Sequence, residues 1–443
     1  MFNNSKKTME KYDCDNLVKI RPELRAEGYH GVIGEAALCL CDGFRALPAL
    51  VFLSLMARTI ASITKGNVVV KNGAQYTELR LNGLIIMRTG GGKGLGEGRA
   101  KLLTNNAERV FTSKNLDKEY PLFAPVHSGG LSTTEGIVSE LRDDAETPDG
   151  KKVIGNSDKR LCVIEEEFAD IFVKSRKNGS TLSQTIRKLF DGQDLSPMTK
   201  HDRIRSTNPH VCMIGHMTPK EFLAEVKTRD LFNGFNNRFI TVLGIPKAVI
   251  PFPKELDEKA IDALSTKLGE AIAWSNDERR ILEMSECFKN LWVTEIYRIS
   301  ELGPPDSLEA SLMVRAPHYA LIISGLFAAM DQSCVLTEKH LRASLAWIDY
   351  WHDSVRYLFN TEAEAEENKI RQEKAEQVLN AIKEIVAESG QRTFVRTKLS
   401  QKLNRKVPSK IANRALQDLQ ERPVPPISVL RTGLKNGQMI TLL

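Results

Sequence analysis

One short segment constrains the fold more than any other part of this sequence. An apolar run of β character at 84–87 ends abruptly in a glycine-rich stretch, 88–94, that contains Lys93. The residues after Glu97 follow a helical pattern. A strand, a glycine turn and a helix in this order aim backbone N–H groups and a helix N-terminus at one point, as phosphate binding requires. We therefore expect an α/β fold with an anion site at this turn.

The turn resembles a P-loop but departs from it at two positions. The candidate phosphate-binding residues are Thr89, Gly90, Gly91, Gly92, Lys93 and Gly94. The position five before Gly92 is usually glycine and is Met87 here, and the usual Mg²⁺-binding hydroxyl after the lysine is replaced by Gly94. Lys93 is expected to neutralise the β- and γ-phosphates of ATP. The alternative is an ordinary tight turn without a ligand.

Three consecutive glutamates follow the apolar run 161–164. Carboxylates at the end of a buried strand fit a Walker B site, in which one acid holds Mg²⁺ and a neighbour polarises the attacking water. The spacing favours Glu165 for the metal, directly or through water, and Glu166 as the base, with Glu167 as a further candidate. The alternative is an acidic helix N-terminus favoured by the helix dipole.

Three polar side chains elsewhere are candidates for contact with the nucleotide. His216 closes the apolar run 211–215, where a polar group can sense the γ-phosphate, although a lone histidine is more often structural. Arg238 precedes the run 240–243 and is a candidate arginine finger for a neighbouring subunit. A surface arginine that binds a carboxylate is an equal alternative. Arg315 is a candidate second phosphate sensor.

Two basic regions point to nucleic acid. Lys200, Arg203 and Arg205 lie in a polar, turn-like stretch that predicts a basic hairpin, either an ordinary solvated loop or a finger that contacts a DNA backbone. The tail, 391–443, carries eleven Lys and Arg residues against Asp418 and Glu421, and its pattern of helices and short strands is that of a winged helix. Such a unit binds duplex phosphates or docks a protein partner. The candidate DNA contacts in the tail are Arg396, Lys398, Lys402, Lys410 and Arg414.

Length and composition fit a chain with several folded units. The 443 residues are 42% hydrophobic and 27% charged, which excludes a disordered or disulfide-stapled chain. The pattern predicts an extension at 1–28, an ATPase core at 29–250, an all-helical lid at 251–360 and a winged helix at 361–443. Scattered cysteines and a polar N-terminus favour a cytoplasmic protein. The apolar run 46–63 is interrupted by Arg58 and predicts a buried helix rather than a membrane span.

Several motifs occur together in one order and resemble those of a known family. They are Tyr29-His30-Gly31, GGLSTTEGIVSELRD, SDKRLCVIEEEFADI, NGSTLSQTIRKLFDGQDL, IGHMTPKEF, NGFNNRF and VRAPHYALIISGLFAAM. This series, from about 29 to 360, is similar to a bacterial family of P-loop ATPase-like proteins, named only as a domain of unknown function, of phages, plasmids and genomic islands. The resemblance implies an AAA+ or helicase-type ATPase with Lys93 and Gly94 at its nucleotide loop. The family's acidic pair aligns with Glu165 and Glu167, so all three glutamates stay candidates.

These patterns lead to one favoured function and two alternatives. The favoured function is an ATP- and Mg²⁺-dependent helicase or replication initiator of a mobile genetic element, which acts on single- and double-stranded DNA as a hexamer or another ring, without membrane contact. The order of motifs is similar to that of minichromosome-maintenance helicases, which is an analogy of architecture. The first alternative is a DNA-binding regulator with a non-hydrolysing ATPase fold. The second is a protein-remodelling ATPase.

Overall fold

The structure is a computed structural model that describes most of the chain. The described residues are 21–112, 121–131, 133–146, 152–196, 204–226, 234–403, 407–420, 422, 425–431 and 438–443, with the backbone alone at 361–369 and 431. They divide into two compact units, 1–358 and 359–443. Each unit has its own sheet and its own core, so each is described separately.

The elements of the first unit alternate between strands and helices. Its strands are β1 (Val68–Asn72), β2 (Gln75–Glu78), β3 (Asn82–Ile86), β4 (Val126–Ser128), β5 (Ala145–Glu146), β6 (Lys152–Val153), β7 (Arg160–Glu165), β8 (His210–Met217), β9 (Ile240–Leu243), β10 (Arg280–Met284) and β11 (Val335–Leu336). Its helices are α1 (Gly31–Leu40), α2 (Pro48–Ser62), α3 (Lys93–Thr112), α4 (Thr134–Glu140), α5 (Ala169–Ser175), α6 (Leu182–Phe190), α7 (Pro219–Val226), α8 (Glu258–Asp277), α9 (Glu286–Ser300), α10 (Leu308–Met313) and α11 (Ala316–Met330). Helix α12 (Glu338–Ser389) begins in this unit and continues into the second.

A five-stranded parallel sheet forms the centre of the first unit, with the order β4-β7-β8-β3-β9. Strands β3, β7, β8 and β9 are buried along their whole length, as expected for parallel strands covered on both faces. The apolar runs that predicted strands at 84–87, 161–164, 211–215 and 240–243 are thereby confirmed. The predicted α/β class is confirmed at this level.

Each face of this sheet packs against a different set of side chains. A Cβ at Gly83 of β3 would meet Leu53 of α2, whereas a Cβ at Gly215 of β8 would meet Phe168. Gly215 is in register with Leu84, the residue after Gly83, so these positions face opposite sides. Helix α2 therefore covers one face and the aromatic cluster around Phe168 covers the other.

Helix α2 is the most buried helix of the unit and confirms the buried helix predicted within 46–63. Every residue of α2 after Pro48 is buried, including Arg58. By length and composition alone, the stretch Leu308–Met330 could cross a membrane. However, 78% of its most apolar 18-residue segment is buried inside the protein. Burial of this kind is typical of a core helix.

A second, smaller sheet corrects the prediction that 251–360 is all helical. Its order is β11-β10-β1-β2, so that β10 and β11 pair in parallel with each other and β10 with β1, while β2 is antiparallel to β1. Strand β10 (Arg280–Met284) has only Leu282 fully buried, and β11 has two residues. Neither strand has a long apolar run, because most of its residues are not buried. The pairing partners of β10 also come from distant parts of the chain, so little in the sequence indicates this sheet.

The second unit contains the last part of α12 followed by β12 (Thr393–Val395), α13 (Arg396–Lys402), α14 (Ser409–Gln420), β13 (Ile427–Arg431) and β14 (Gln438–Leu442). Its three strands are antiparallel in the order β12-β14-β13. Residues from all of these elements form one apolar core, in which Val378, Ile382, Leu419 and Ile440 are fully enclosed. The amphipathic helices of the tail are therefore packed on a small sheet.

Candidate functional site

The carboxyl ends of three neighbouring strands bring the main candidate residues to one edge of the central sheet. Glu165, the last residue of β7, is in register with Gly215 of β8, and Gly215 is in register with Leu84 of β3. Glu165 thus lies two strand spacings, about 10 Å, from β3. The Met87 N–H donates to Met217 O, which ties the start of the glycine loop to the end of β8. Ligands of open α/β sheets bind at such an edge.

The glycine loop has a backbone that other residues would not adopt. Gly90 and Gly92 have φ values of 71° and 105°, in the region that favours glycine. A Cβ at Gly91 would lie within 3 Å of the Met87 side chain and of Arg88 O. Glycine is therefore required at three successive positions, and α3 begins directly after them.

Lys93 is the first residue of α3 and its ammonium group is available for a ligand. No hydrogen bond or ion pair joins its side chain to the other residues that the structure describes. Gly94, the next residue, has no atom within 4 Å of the position that a Cβ would take. The loop therefore offers a free cation and open space at the N-terminus of a 20-residue helix.

The three glutamates have different environments. Glu165 is buried, and its Oε2 accepts a hydrogen bond from the Leu131 N–H at 3.0 Å. Its Oε1 has no hydrogen-bond donor within the described ranges. Glu166 and Glu167 are exposed in the turn that follows β7. This arrangement suits Glu165 for a bound cation and leaves both of its neighbours accessible to water.

His216 is a buried histidine whose ring nitrogens have no partner. Its side chain lies in β8, and neither Nδ1 nor Nε2 makes a hydrogen bond. The pKa of His216 is lowered to about 4, chiefly by burial, with a smaller opposing effect of Glu97 and a still smaller lowering effect of Lys93. The imidazole is therefore neutral at pH 7. A buried imidazole whose nitrogens have no hydrogen-bond partner can donate a hydrogen bond to a ligand or accept one from it.

Arg238 and Arg315 lie at the opposite, amino edge of the sheet. Arg238 comes two residues before β9, whose first residue Ile240 is in register with Gly83 of β3. The Tyr319 hydroxyl, on α11, donates to Arg238 O at 2.7 Å. Both arginines form ion pairs with Asp191 of their own chain. Arg238 thus binds a carboxylate, as one of the two interpretations of the sequence expected. Its contact with a neighbouring subunit stays a prediction.

The structure describes the base of the predicted basic hairpin. Leu195 and Ser206 are joined by two antiparallel backbone hydrogen bonds of 2.9 and 2.8 Å. Arg205 is exposed and lies 3.6 Å from Asp194. Lys200 and Arg203 lie outside the described residues. The described part therefore closes a loop at this place, and the role of its tip stays a prediction.

The candidate DNA contacts of the second unit divide into paired and unpaired cations. Lys402 bonds to both Glu384 and Glu388, and these bonds raise its pKa. Arg396 donates to the Gln438 side chain at 3.0 Å, and Arg414 lies 3.6 Å from Asp418.

Lys398 and Lys410 differ from these three residues. Both are exposed, and no ion pair joins either of them to the part of the chain that the structure describes. Lys398 and Lys410 are therefore the cations of this set that are most available to phosphates.

One cluster was not predicted from the sequence and has the composition of a metal site. His30 Nε2 and His340 Nε2 lie 2.9 and 3.1 Å from the same Asp331 oxygen. However, the Thr337 N–H donates to His340 Nδ1, so the proton of neutral His340 must be on Nε2. To bind a metal through Nε2, His340 would have to carry its proton on Nδ1 instead. The cluster is therefore a hydrogen-bonded structural contact.

A large surface groove lies along α3, and neither the glycine loop nor Lys93 lines it. It has a volume of about 1010 Å³ and is lined by α3, by α8 and by the segment before α8. Arg99, on its wall, stacks on the Phe44 ring at 3.7 Å. Arginine, lysine and acidic side chains all line this groove, so its charge does not select one class of ligand.

Comparisons with known proteins add no further assignment. The chain matches no protein-family model, and a search of curated proteins finds no relative. The resemblance drawn from the sequence motifs accordingly stays a prediction.

Proposed function

We propose that this protein is an ATP- and Mg²⁺-dependent DNA helicase or replication initiator of a mobile genetic element that acts as a ring of identical subunits. One observation carries this proposal. The glycine loop, Glu165 and His216 lie at one edge of the central sheet, whereas Arg238 and Arg315 lie at the other. A nucleotide held at the first edge of one copy and contacted by arginines from the second edge of another copy is the arrangement expected of a ring ATPase.

Each residue at the carboxyl edge can have a separate role in phosphoryl transfer. The glycine loop and the start of α3 would direct backbone N–H groups at the phosphates, and Lys93 would neutralise their charge. His216 would hydrogen-bond the terminal phosphate as a neutral imidazole. Glu166 or Glu167, exposed beside Glu165, would orient the attacking water.

The acidic residues fit a magnesium ion in part. Glu165 is buried and has one carboxylate oxygen that no described group satisfies, which a cation or its water would fill. Gly94 supplies no hydroxyl, so the second protein ligand of a typical P-loop is missing. A bound Mg²⁺ would supply charge neutralisation between the β- and γ-phosphates.

The second unit supports a DNA-binding role. Its order of helix, strand, two helices and two strands, and its sheet order β12-β14-β13, are those expected of a winged helix. The exposed Lys398 and Lys410 lie on α13 and α14. In such a unit the second helix of the pair enters the major groove and nearby cations contact phosphates.

An ATPase assay with and without DNA tests the proposal. We expect Mg²⁺-dependent hydrolysis that DNA stimulates and that Lys93→Ala abolishes. A Lys177→Ala variant, which changes an exposed lysine in the loop after α5, is the matched control and should retain the activity. Hydrolysis that survives Lys93→Ala would contradict the placement of the site.

Gly94 supports a second candidate function, a DNA-binding regulator that binds nucleotide without hydrolysing it. The same assay separates the two functions. Duplex binding together with nucleotide binding, but with no turnover in either condition, would favour the regulator. The family resemblance is compatible with both functions, so it does not decide between them.

A further inference from the structure

Three segments that the proposed carboxyl-edge site leaves unused meet at one carboxylate. Asp191 follows α6, Arg238 precedes β9 and Arg315 precedes α11. Arg238 Nη2 lies 2.6 Å from Asp191 Oδ2 and its Nε lies 3.3 Å from Oδ1, which is a two-pronged pairing. Arg315 Nη2 lies 3.6 Å from the same Oδ1. Asp191 therefore fixes the two arginines relative to each other.

Neighbouring groups hold this arrangement in place. Arg238 Nη1 donates to Gly234 O, and Arg315 Nε donates to the Asn237 side chain at 3.3 Å. The Arg315 guanidinium also lies over the Phe190 ring at 5.3 Å. Both arginines are thus oriented by more than their shared carboxylate.

The backbone after Asp191 is also specialised. Gly192 has a φ of 69°, and a Cβ there would lie within 3 Å of the Arg80 guanidinium. Glycine is required at this position because Arg80 occupies the space. The turn that presents Asp191 is therefore built around a third arginine, which pairs with Glu78.

The cluster has an excess of positive charge. Asp191 is the one carboxylate within ion-pair distance of Arg238 or Arg315 among the described residues, and the two arginines share it. Burial lowers the pKa of Arg315, and the charge of Arg238 acts in the same direction. His318 beside them is neutral at pH 7, because burial lowers its pKa to about 4. A second anion would balance this charge.

The two guanidinium groups are unequally available to that anion. Arg238 uses all three of its nitrogens on Asp191 and Gly234, and its side chain is 11% exposed. The side chain of Arg315 is 29% exposed, and within the described residues its nitrogens have one hydrogen bond and one longer ion pair. Arg315 is therefore the arginine better placed to approach an added ligand.

The position of the cluster excludes the phosphates of the same chain. The four steps of β3 from Asn82 to Ile86 cover about 13 Å, and the glycine loop lies beyond Ile86. The Tyr319 hydroxyl bonds to Asn82 O at 3.3 Å and to Arg238 O, which places the arginines at the amino end of β3. Phosphates bound at the chain's own glycine loop therefore lie too far away to serve this cluster, whereas those of another copy can approach it.

We propose that Asp191 is a positioning residue that holds Arg238 and Arg315 ready for the nucleotide phosphates of a second copy of this chain, with Arg315 making the closer approach. This inference rests on the proposed function. It assigns a role to the LFDG segment that is distinct from binding the chain's own nucleotide. The contact is heterologous, because one edge of each copy meets the other edge of the next.

The test uses the full chain with Asp191→Asn, which keeps the shape of the side chain and removes its charge. We expect the kcat of ATP hydrolysis to fall about tenfold or more, because a mispositioned arginine no longer stabilises the transition state. The dissociation constant of a fluorescent ATP analogue should stay within about twofold, because Lys93 is untouched. Asp194→Asn, three residues away on an exposed side chain, is the control and should keep full turnover.

Mixing separates action between copies from a defect in folding. Asp191→Asn copies mixed with Lys93→Ala copies should recover up to about one quarter of the wild-type turnover, because some interfaces then combine an intact loop with an intact arginine cluster. Asp191→Glu keeps the charge but moves the carboxylate. This variant should lose turnover as well, so it serves if the Asn variant does not fold.

Distinct results would overturn the inference and the proposed function. Full turnover in a folded Asp191→Asn or Asp191→Glu variant would overturn the role of Asp191 alone. Loss of turnover with no recovery on mixing would overturn action on a second copy. Wild-type protein without any turnover would overturn the proposed ATPase function, and with it this inference.

Discussion

Arg58 and Glu97 form an ion pair that is enclosed between α2 and α3. Arg58 Nε lies 3.2 Å from Glu97 Oε1, and the Ser54 hydroxyl donates to Oε2 at 2.6 Å. The two charged side chains are 5% and 10% exposed. Because α3 begins at Lys93, this pair attaches the first turns of the candidate phosphate-binding helix to the most buried helix of the unit.

Breaking this pair on one side should destabilise the first unit strongly. Arg58→Met leaves the buried Glu97 carboxylate without its cation, with the Ser54 hydroxyl as its remaining described hydrogen-bond donor, so we expect a loss of about 3–5 kcal/mol. The double variant Arg58→Met with Glu97→Leu removes both charges and should recover most of that loss. All four tryptophans lie within 1–358, so their fluorescence during urea unfolding reports this unit. A double variant no more stable than Arg58→Met would contradict the explanation.

Replacing Gly94 with threonine should restore the hydroxyl that the loop lacks. The position has open space, and its φ is outside the range that only glycine favours, so the side chain fits without strain. We expect Mg²⁺-dependent ATP turnover to rise several-fold, because the hydroxyl adds a ligand to the ion. Gly94→Ala is the matched control, since it adds the Cβ without the oxygen. Equal rates in the two variants would show that the hydroxyl has no role.

The sequence predicted the central strands because full burial leaves a local signal. Strands β7, β8 and β9 are fully buried and largely apolar, and Glu165 and His216, near the carboxyl ends of β7 and β8, lie at the carboxyl edge. The glycines at 90–92 were likewise predictable, because only glycine adopts their backbone or fits their space. These features depend on residues that are close together in the sequence.

Features that depend on distant pairings had no such signal. Strand β10 pairs with β1 although about two hundred residues separate them. Because several of its residues are exposed and polar, its sequence lacks the apolar run that would predict a strand. Nothing near Asp191 in the sequence marks Arg238 or Arg315 as its partners. The prediction of an all-helical lid failed for the same reason.

Stability should fall as the pH is lowered from about 6.5 towards 4. Burial lowers the pKa of His210, His216 and His318 to about 4 from 6.5, so the unfolded chain binds these protons first. The stability they contribute is complete above pH 6.5 and is lost as the pH falls. By pH 5 the loss should reach roughly 2 kcal/mol for each histidine. Urea midpoints measured between pH 7 and 5, where most carboxylates stay ionised, test this, and a flat profile would contradict it.

The His30–Asp331–His340 cluster should respond to charge removal but not to zinc. Although burial alone would raise the pKa of Asp331, hydrogen bonds from the two histidines hold it below its usual range. Asp331→Asn should therefore lower the stability of the first unit at pH 7 by about 1 kcal/mol, a modest loss because the carboxylate is over a third exposed. Added Zn²⁺ should leave the unfolding midpoint of the wild type unchanged. A zinc-dependent rise that Asp331→Asn removes would restore the metal interpretation.

Duplex DNA binding should depend on the unpaired lysines of the second unit and hardly at all on the paired one. Lys398→Ala and Lys410→Ala each remove an exposed cation, so each should weaken binding and reduce the salt dependence of the affinity by about one counterion. Lys402→Ala is the matched comparison. It removes one positive charge, as the other two changes do, but takes it from a lysine that Glu384 and Glu388 already engage. The affinity for a plain duplex, measured by fluorescence anisotropy over a range of salt concentrations, gives both quantities. If Lys402→Ala weakened binding as much as the other two changes, the ion pairs of the isolated chain would have to open on DNA. If none of the three had an effect, the second unit would instead be a docking module for a protein.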